Sequence, residues 1–303
     1  MATTTERLPP PVKKRVKLTL FDLLVFALVA AGVFYIAYRV ESVLVYKWSW
    51  DTVLQFVVRR DEAGDLVPNL LVTGLMTTLR LAFWGTIAAA IIGLVMGLCR
   101  TSSNLFLRMV ARLYVELIRN IPPVVFIFVF YFFISGQIMP LLGVDEFARN
   151  ASPETARIIE FLFGPIGLFS NFLAGMICLA MFEGAYITEI VRAGIQSIEK
   201  GQWEAARAVG LSRFNVLRDV ILPQAIRKIL PPLAGQFITL VKDSAIVSLI
   251  SIQELTFVAI EVAASTTRVF ETWIVVGVMY FVVCYFFAVV FARLEKRGQR
   301  GRR

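Results

Sequence analysis

The dominant pattern in this chain is the recurrence of apolar stretches without a single acidic or basic residue. Leu81 to Cys99, Asn120 to Val144, Phe161 to Phe182 and Thr272 to Ala292 are all of this kind. Each is close to or above the roughly 20 residues that a helix needs to cross about 30 Å of hydrocarbon. Leu18 to Val40 reads as a fifth span with Asp22 and Arg39 near its ends, and Ile229 to Gln253 as a sixth interrupted by Lys242 and Asp243. The pattern predicts an all-α integral membrane protein with about six transmembrane helices.

Composition agrees: 58% of the 303 residues are hydrophobic, 25 of them Phe, and the mean hydropathy is +0.73. The bilayer is therefore the first partner. The basic segment ahead of the first span, with Arg7, Lys13, Lys14, Arg15 and Lys17, suits a retained anchor rather than a removed signal peptide. Cys99, Cys178 and Cys284 stand singly, and the chain has no His. That excludes the paired ligand spacings of a metal site and leaves the cysteines as packing residues.

Charge gives an orientation. Basic residues collect at the N-terminus, at Arg100, Arg108 and Arg112, between Arg192 and Lys228, and at Arg293, Lys296, Arg297, Arg300, Arg302 and Arg303. The alternate connections carry Glu41, Asp51, Asp61, Glu62 and Asp65, then Asp145, Glu146, Glu154 and Glu160, then Glu254, Glu261 and Glu271, and are expected to face outward. Basic connections stay cytoplasmic, so both termini are expected inside. The net charge of +9 follows from this topology and from anionic lipid, not from nucleic acid. Within the first outer segment, Val53 to Arg60 looks helical.

The longest cytoplasmic connection between two spans is Gln196 to Lys228. Glu204, Ala205, Ala206, Arg207 and Ala208 favour a helix, which Gly210 can close in the left-handed conformation. Ser212 is placed to cap a second helix, with Leu211 and Val216 as a hydrophobic staple, and Pro223 is expected to end it. Trp203, Ala206, Val209, Phe214 and Leu217 supply apolar surface. Such a knob can dock into a groove on a partner or pack on the protein's own helices.

At this connection the sequence resembles a known family. Glu204-Ala205-Ala206, then Gly210, then Leu222-Pro223 match the EAA signature of ABC importer permeases, with Val220 where the signature usually has Ile. The polar amino-acid branch is similar also through Glu116 to Pro122, through Gly184-Ala185-Tyr186, through Leu222-Pro223-Gln224-Ala225 to Pro232, and at Lys242-Asp243 and Glu254-Leu255. The resemblance covers roughly Leu70 to Glu295. It implies a type I importer fold with a five-span core, in which Glu204, Ala205, Ala206, Gly210, Leu222 and Pro223 form the coupling loop seated in a separate ATPase. It also implies a second permease subunit, identical or homologous, an extracytoplasmic solute-binding protein, and a location in a bacterial inner membrane.

The resulting division of the chain is a basic N-terminus, 1–17; an extra helix and outer segment, 18–69; the importer domain, 70–295, with its coupling loop at 196–228; and a basic tail, 296–303. No Lys precedes Ser or Thr, so the phosphate-cradling Gly-x-x-x-x-Gly-Lys motif is missing. No connection exceeds about forty residues, too short for a nucleotide-binding domain. The chain is expected to bind no cofactor and to be no enzyme, with ATP and Mg held by the partner ATPase.

Ionisable groups inside spans cost about 2.5–3.5 kcal/mol on insertion scales and are functional candidates for that reason. Glu183, Glu189, Lys242 and Asp243 qualify. Lys242 is expected near Glu183 or Glu189, either lining the path of an amino acid or as an ion pair joining two spans. Glu116 and Arg119 are spaced to pair on one helical face, and Pro122-Pro123 suits a first helical turn or a hinge. The interrupted span and buried charges also fit a stand-alone secondary transporter or channel, against which the Glu204 to Pro223 connection argues.

Overall fold

A computed structural model describes residues 19–43 and 46–300; the basic segment 1–17 and the last three residues of the tail lie outside them. The described residues fall into two units, one ending at Trp48 and one beginning at Ser49.

The first unit contains α1, Leu20–Val43. Its apolar stretch, Leu20–Ile36, is at the short end of what crosses a bilayer. Its large apolar side chains, among them Phe21, Leu24, Leu28 and Phe34, are exposed, as lipid-facing side chains are.

The second unit opens with α2, Trp50–Leu54, followed by an antiparallel hairpin of β1, Val58–Arg60, and β2, Leu66–Pro68, with Arg59 opposite Val67. The helix expected over Val53 to Arg60 therefore stops early. Val57 and Val58 favour extended backbone, and Asp61 closes the turn by accepting from the Ala63 and Asp65 amides at 3.0 and 2.9 Å.

After that come α3, Leu70–Thr101; α4, Leu105–Asn120; α5, Pro123–Phe133, prolonged through a wide turn at Ile134–Ile138 into α6, Met139–Leu141; α7, Val144–Arg149; and α8, Pro153–Phe163. Then follow α9, Phe169–Gln196; α10, Lys200–Ala208; α11, Arg213–Asn215; α12, Leu222–Asp243, with a 3-10 extension at Ser244–Ile250; α13, Leu255–Thr266; and α14, Val269–Arg300.

Five helical runs among the described residues are long and apolar enough to span a membrane: Leu70–Thr101, Pro123–Leu141, Ile166–Gln196, Arg213–Ile250 and Val269–Arg297. They extend beyond the uncharged windows because charges near span ends find local partners. Arg80 Nε donates to the Phe161 carbonyl and Trp84 Nε1 to the Leu162 carbonyl, at 3.2 and 3.0 Å. These bonds satisfy two of the carbonyls that the end of α8 leaves free. Phe161 to Phe163 thus belong to α8; Gly164, with φ of 101°, and Pro165 separate them from the span that follows.

The centre of the unit is the contact between α3 and α9. A Cβ at Gly93 would overlap the Ile187 side chain and come within 3.1 Å of its carbonyl carbon. One at Gly97 would sit 2.5 Å from Val191 Cγ1. The order Gly93, Gly97 against Ile187, Val191 makes the two helices parallel. Glycines four apart let backbones approach closely, and in lipid that close packing substitutes for the hydrophobic effect. Farther along α3, a Cβ at Gly74 would lie 3.1 Å from the Leu255 Cα, so the same helix also seats α13.

Pro231 and Pro232 lie inside α12, which membrane helices tolerate when neighbours satisfy the freed carbonyls. Pro223 does not end a helix either: it occupies the first turn of α12, directly after a π-helical segment at Val216–Ile221. Proline clashes with the carbonyl four residues back in an α-helix, and the wider π turn displaces that carbonyl, so the run continues from the knob into the span.

Gly93→Ala is expected to lower the melting temperature of the detergent-solubilised protein, since overpacking costs about 1–3 kcal/mol. Gly277→Ala, at a position with open space, is expected to be neutral or stabilising by up to about 1 kcal/mol. Equal melting temperatures for the two variants would contradict the glycine contact.

Candidate functional site

Two regions hold the candidate residues. The first is the knob between α9 and α12. Helix α10 closes in a Schellman motif: the Leu211 amide donates to the Ala206 carbonyl at 3.3 Å and the Gly210 amide to the Arg207 carbonyl at 2.9 Å. Gly210 sits at φ of 82°, the left-handed region that glycine alone enters without cost. Ser212 then caps α11 by accepting from the Asn215 amide at 3.3 Å, while Leu211 and Val216 meet in one apolar cluster.

That cluster divides the knob's apolar surface in two. Ala206, Val216 and Ile221 are buried, and Trp203, Leu211, Leu217 and Leu222 pack against them, together with Ile187, Val191, Ile195 and Ile198 of the α9 side and Ala225 and Ile229 of α12. Lys228 Nζ adds a bond to the Ser197 carbonyl at 2.8 Å. The remaining apolar residues point out: Val209 is 77% and Phe214 65% exposed, and Glu204, Ala205 and Pro223 are exposed beside them. Ala206 is the member of α10 that packs into this cluster, where a small side chain fits, whereas Glu204 and Ala205 are exposed. The knob is rigidly continuous with two spans and presents a separate apolar face outward.

The second region lies about 18 Å along α9 from Ile195, at 1.5 Å per residue. Glu183 is wholly buried; its Oε2 accepts from Gln236 Nε2 of α12, and its Oε1 has no partner among the described residues. Asp243 stands close enough for its carboxyl to act directly on Glu183. Gln236 and Asp243 are seven apart, so they share one face of α12. Thr86 of α3 has a second buried oxygen without a partner among the described residues; its neighbour Gly85 faces Leu240 of α12.

The expected approach of Lys242 does not occur. Adjacent helical residues point about 100° apart, so when Asp243 turns toward Glu183, Lys242 turns away; it is exposed, on the side where its charge is felt by Cys284 of α14. Glu189 has other partners. Its Oε1 meets Arg100 at 3.0 Å and its Oε2 meets Arg192 at 2.7 Å, a half-buried cluster joining α3 to α9. Glu116 pairs with Arg112, four residues back, at 2.6 Å rather than with Arg119, whose guanidinium lies 5.2 Å from the centre of the Tyr186 ring. Pro123 takes the first turn of α5, and Ile121 before it is extended.

A third cluster forms around an acid that the charge pattern assigned to an outward-facing connection. Glu254 is wholly buried and caps α13 through the Phe257 amide at 2.8 Å. It also accepts from Thr78 Oγ1 of α3 at 3.2 Å and Tyr280 Oη of α14 at 2.8 Å. All its bonds are internal, which suits a structural clasp. Gln236, Thr86 and Tyr280 carry no charge at neutral pH, so a search for intramembrane charges passes over them.

A bundle of apolar spans with a rigid, outward-facing knob between two of them and a polar cluster at membrane depth on those same two spans is the construction of a transporter's membrane subunit. Residues 85–300 match the family of binding-protein-dependent transport system inner membrane components, and the chain belongs to that family, the permease subunits of ABC importers. It is 33% identical over 228 residues to the glutamine transport system permease protein of Escherichia coli K12, covering 75% of this chain and 92% of that protein. A crystal structure of an amino acid ABC transporter with histidines aligns at a TM-score of 0.60 and 35% identity, over 75% of this chain and 94% of that one. A methionine ABC transporter in an inward-facing conformation, 19% identical with a TM-score of 0.56, shares the fold. Permeases of this family work with ATPase and binding-protein partners.

Glu189→Gln is expected to destabilise the protein by about 1–3 kcal/mol, because two half-buried guanidinium groups lose their charged acceptor. Solute selectivity should not change. A selectivity change at unaltered melting temperature would instead place Glu189 in the solute's path.

Proposed function

We propose that this chain forms the translocation path for a polar amino acid in an ABC importer, receiving force from a separate ATPase at the Glu204 to Pro223 knob. The observation that carries this reading is the outward pair Val209 and Phe214 on a knob whose other face is packed into α9 and α12. A docking helix needs an exposed apolar anchor and a stiff connection to what it moves. The amino-acid class comes from the relatives' solutes. The positive-inside pattern puts the knob and both termini on the cytoplasmic side, with ATP and Mg bound by the ATPase and the solute delivered from the opposite face by the binding protein. A second permease subunit, identical or homologous, completes the path.

On this reading α9 and α12 move together when the knob moves, since Ala225 and Ile229 pack in the same cluster as Val191 and Ile195. The polar groups they carry, Glu183, Gln236 and Asp243, are then the ones rearranged as the path opens. Glu189 and Lys242 sit apart from them.

Phe214→Asp and Val209→Asp test the docking. Each puts a charge where an apolar anchor enters the ATPase, and losing an anchor of that kind costs about 2 kcal/mol or more. Co-purification of the ATPase with the permease should fall by at least tenfold while the permease itself stays folded. Undiminished co-purification by both variants would refute the knob as the docking site.

A further inference from the structure

Glu183 and Asp243 bring two carboxyl groups together at membrane depth, and no cation among the described residues balances them. Among the described residues neither makes an ion pair; the basic groups nearest in sequence are directed elsewhere, Arg192 to Glu189 and Lys242 to the Cys284 side. Gln236 supplies one donor to Glu183 Oε2, yet Glu183 Oε1 stays buried without a partner. A buried carboxylate is expensive unless it is paired and its oxygens are filled. Glu183 is closed off, whereas Asp243 is half-buried, so the cluster has one side from which a group can enter. Thr86 Oγ1, also without a partner, lies on the helix facing the same stretch of α12.

We propose that Glu183 and Asp243 are the binding point for a cationic nitrogen on the transported solute, so that the chain passes amino acids with a positively charged side chain. This rests on the reading of the chain as an amino-acid permease and narrows its substrate class. A guanidinium or ammonium group brings only donors, which the two carboxyls and the open Glu183 oxygen accept, and its charge offsets theirs. The side-chain amide of a neutral amino acid would leave both acids uncompensated, and an acidic side chain would be repelled. Gln236 holds Glu183 in place and is a positioning residue.

The test uses the intact complex of permease and ATPase in detergent, with labelled L-arginine, L-glutamine and L-glutamate as probes and the melting curve of each variant as a control. Wild type is expected to bind arginine at least tenfold more tightly than glutamine and to bind glutamate least. Glu183→Gln and Asp243→Asn should each weaken arginine binding at least tenfold, and Glu183→Asp should recover part of it. If both variants weaken arginine and glutamine by the same factor, the acids meet the α-ammonium that every amino acid carries, and the narrowing to cationic side chains is overturned. Arginine binding unchanged in a folded Asp243→Asn or Glu183→Gln protein would overturn the proposal, as would preference for glutamate; the two carboxyls would then merely share a proton. ATP-dependent uptake of a neutral amino acid would still leave the permease reading standing.

Discussion

The rest of the structure depends on the close approach of α3 and α9. Lipid offers no hydrophobic drive for two apolar helices to associate, so contact must come from shape and from internal polar bonds. Gly93 and Gly97 supply the shape, letting Ile187 and Val191 lie directly on the α3 backbone. At one end of this contact Arg100 and Arg192 hold Glu189; at the other Thr78 joins α3 to the Glu254 clasp. With the pair fixed, α12 has a defined surface to pack on, and Gln236 reaches Glu183 across it.

The arrangement separates stability from the work of transport. Glu254 and Glu189 have their oxygens filled by protein donors, and they tie helices together. Glu183 has one oxygen filled and one free, beside a second acid, in the two helices that continue from the knob. Polar groups that only hold a fold are satisfied within it, and Glu183 departs from that rule among the described residues. The knob repeats the division, with Ala206 and Trp203 packed inward and Val209 and Phe214 exposed.

Much of this was legible in the sequence because membrane folding leaves strong marks. Uncharged runs located the spans, Gly210 and Ser212 marked the turn of the knob, and the EAA spacing pointed to the family. What was misread has local causes. Treating charge as a boundary cut α3 and α9 short, since Arg80 and Glu189 find partners inside the bundle. Pro223 was expected to stop a helix, but a π turn carries the chain past it. Pairing by sequence spacing put Arg119 with Glu116 when Arg112 was available, and depth alone suggested Lys242 for Glu183 without regard to the direction each side chain takes. Gln236 and Thr86 left no sign, because neutral polar residues are common in spans and only tertiary packing shows which of them meet an acid.

The account's central claim is that this chain provides the path and another provides the energy. Uptake of labelled amino acid into vesicles tests it most directly, with the permease, its ATPase and its binding protein reconstituted together and then with the ATPase left out. Accumulation should require all of them and internal or external ATP on the side of the knob. Accumulation by the permease alone, driven by an ion gradient, would contradict the account.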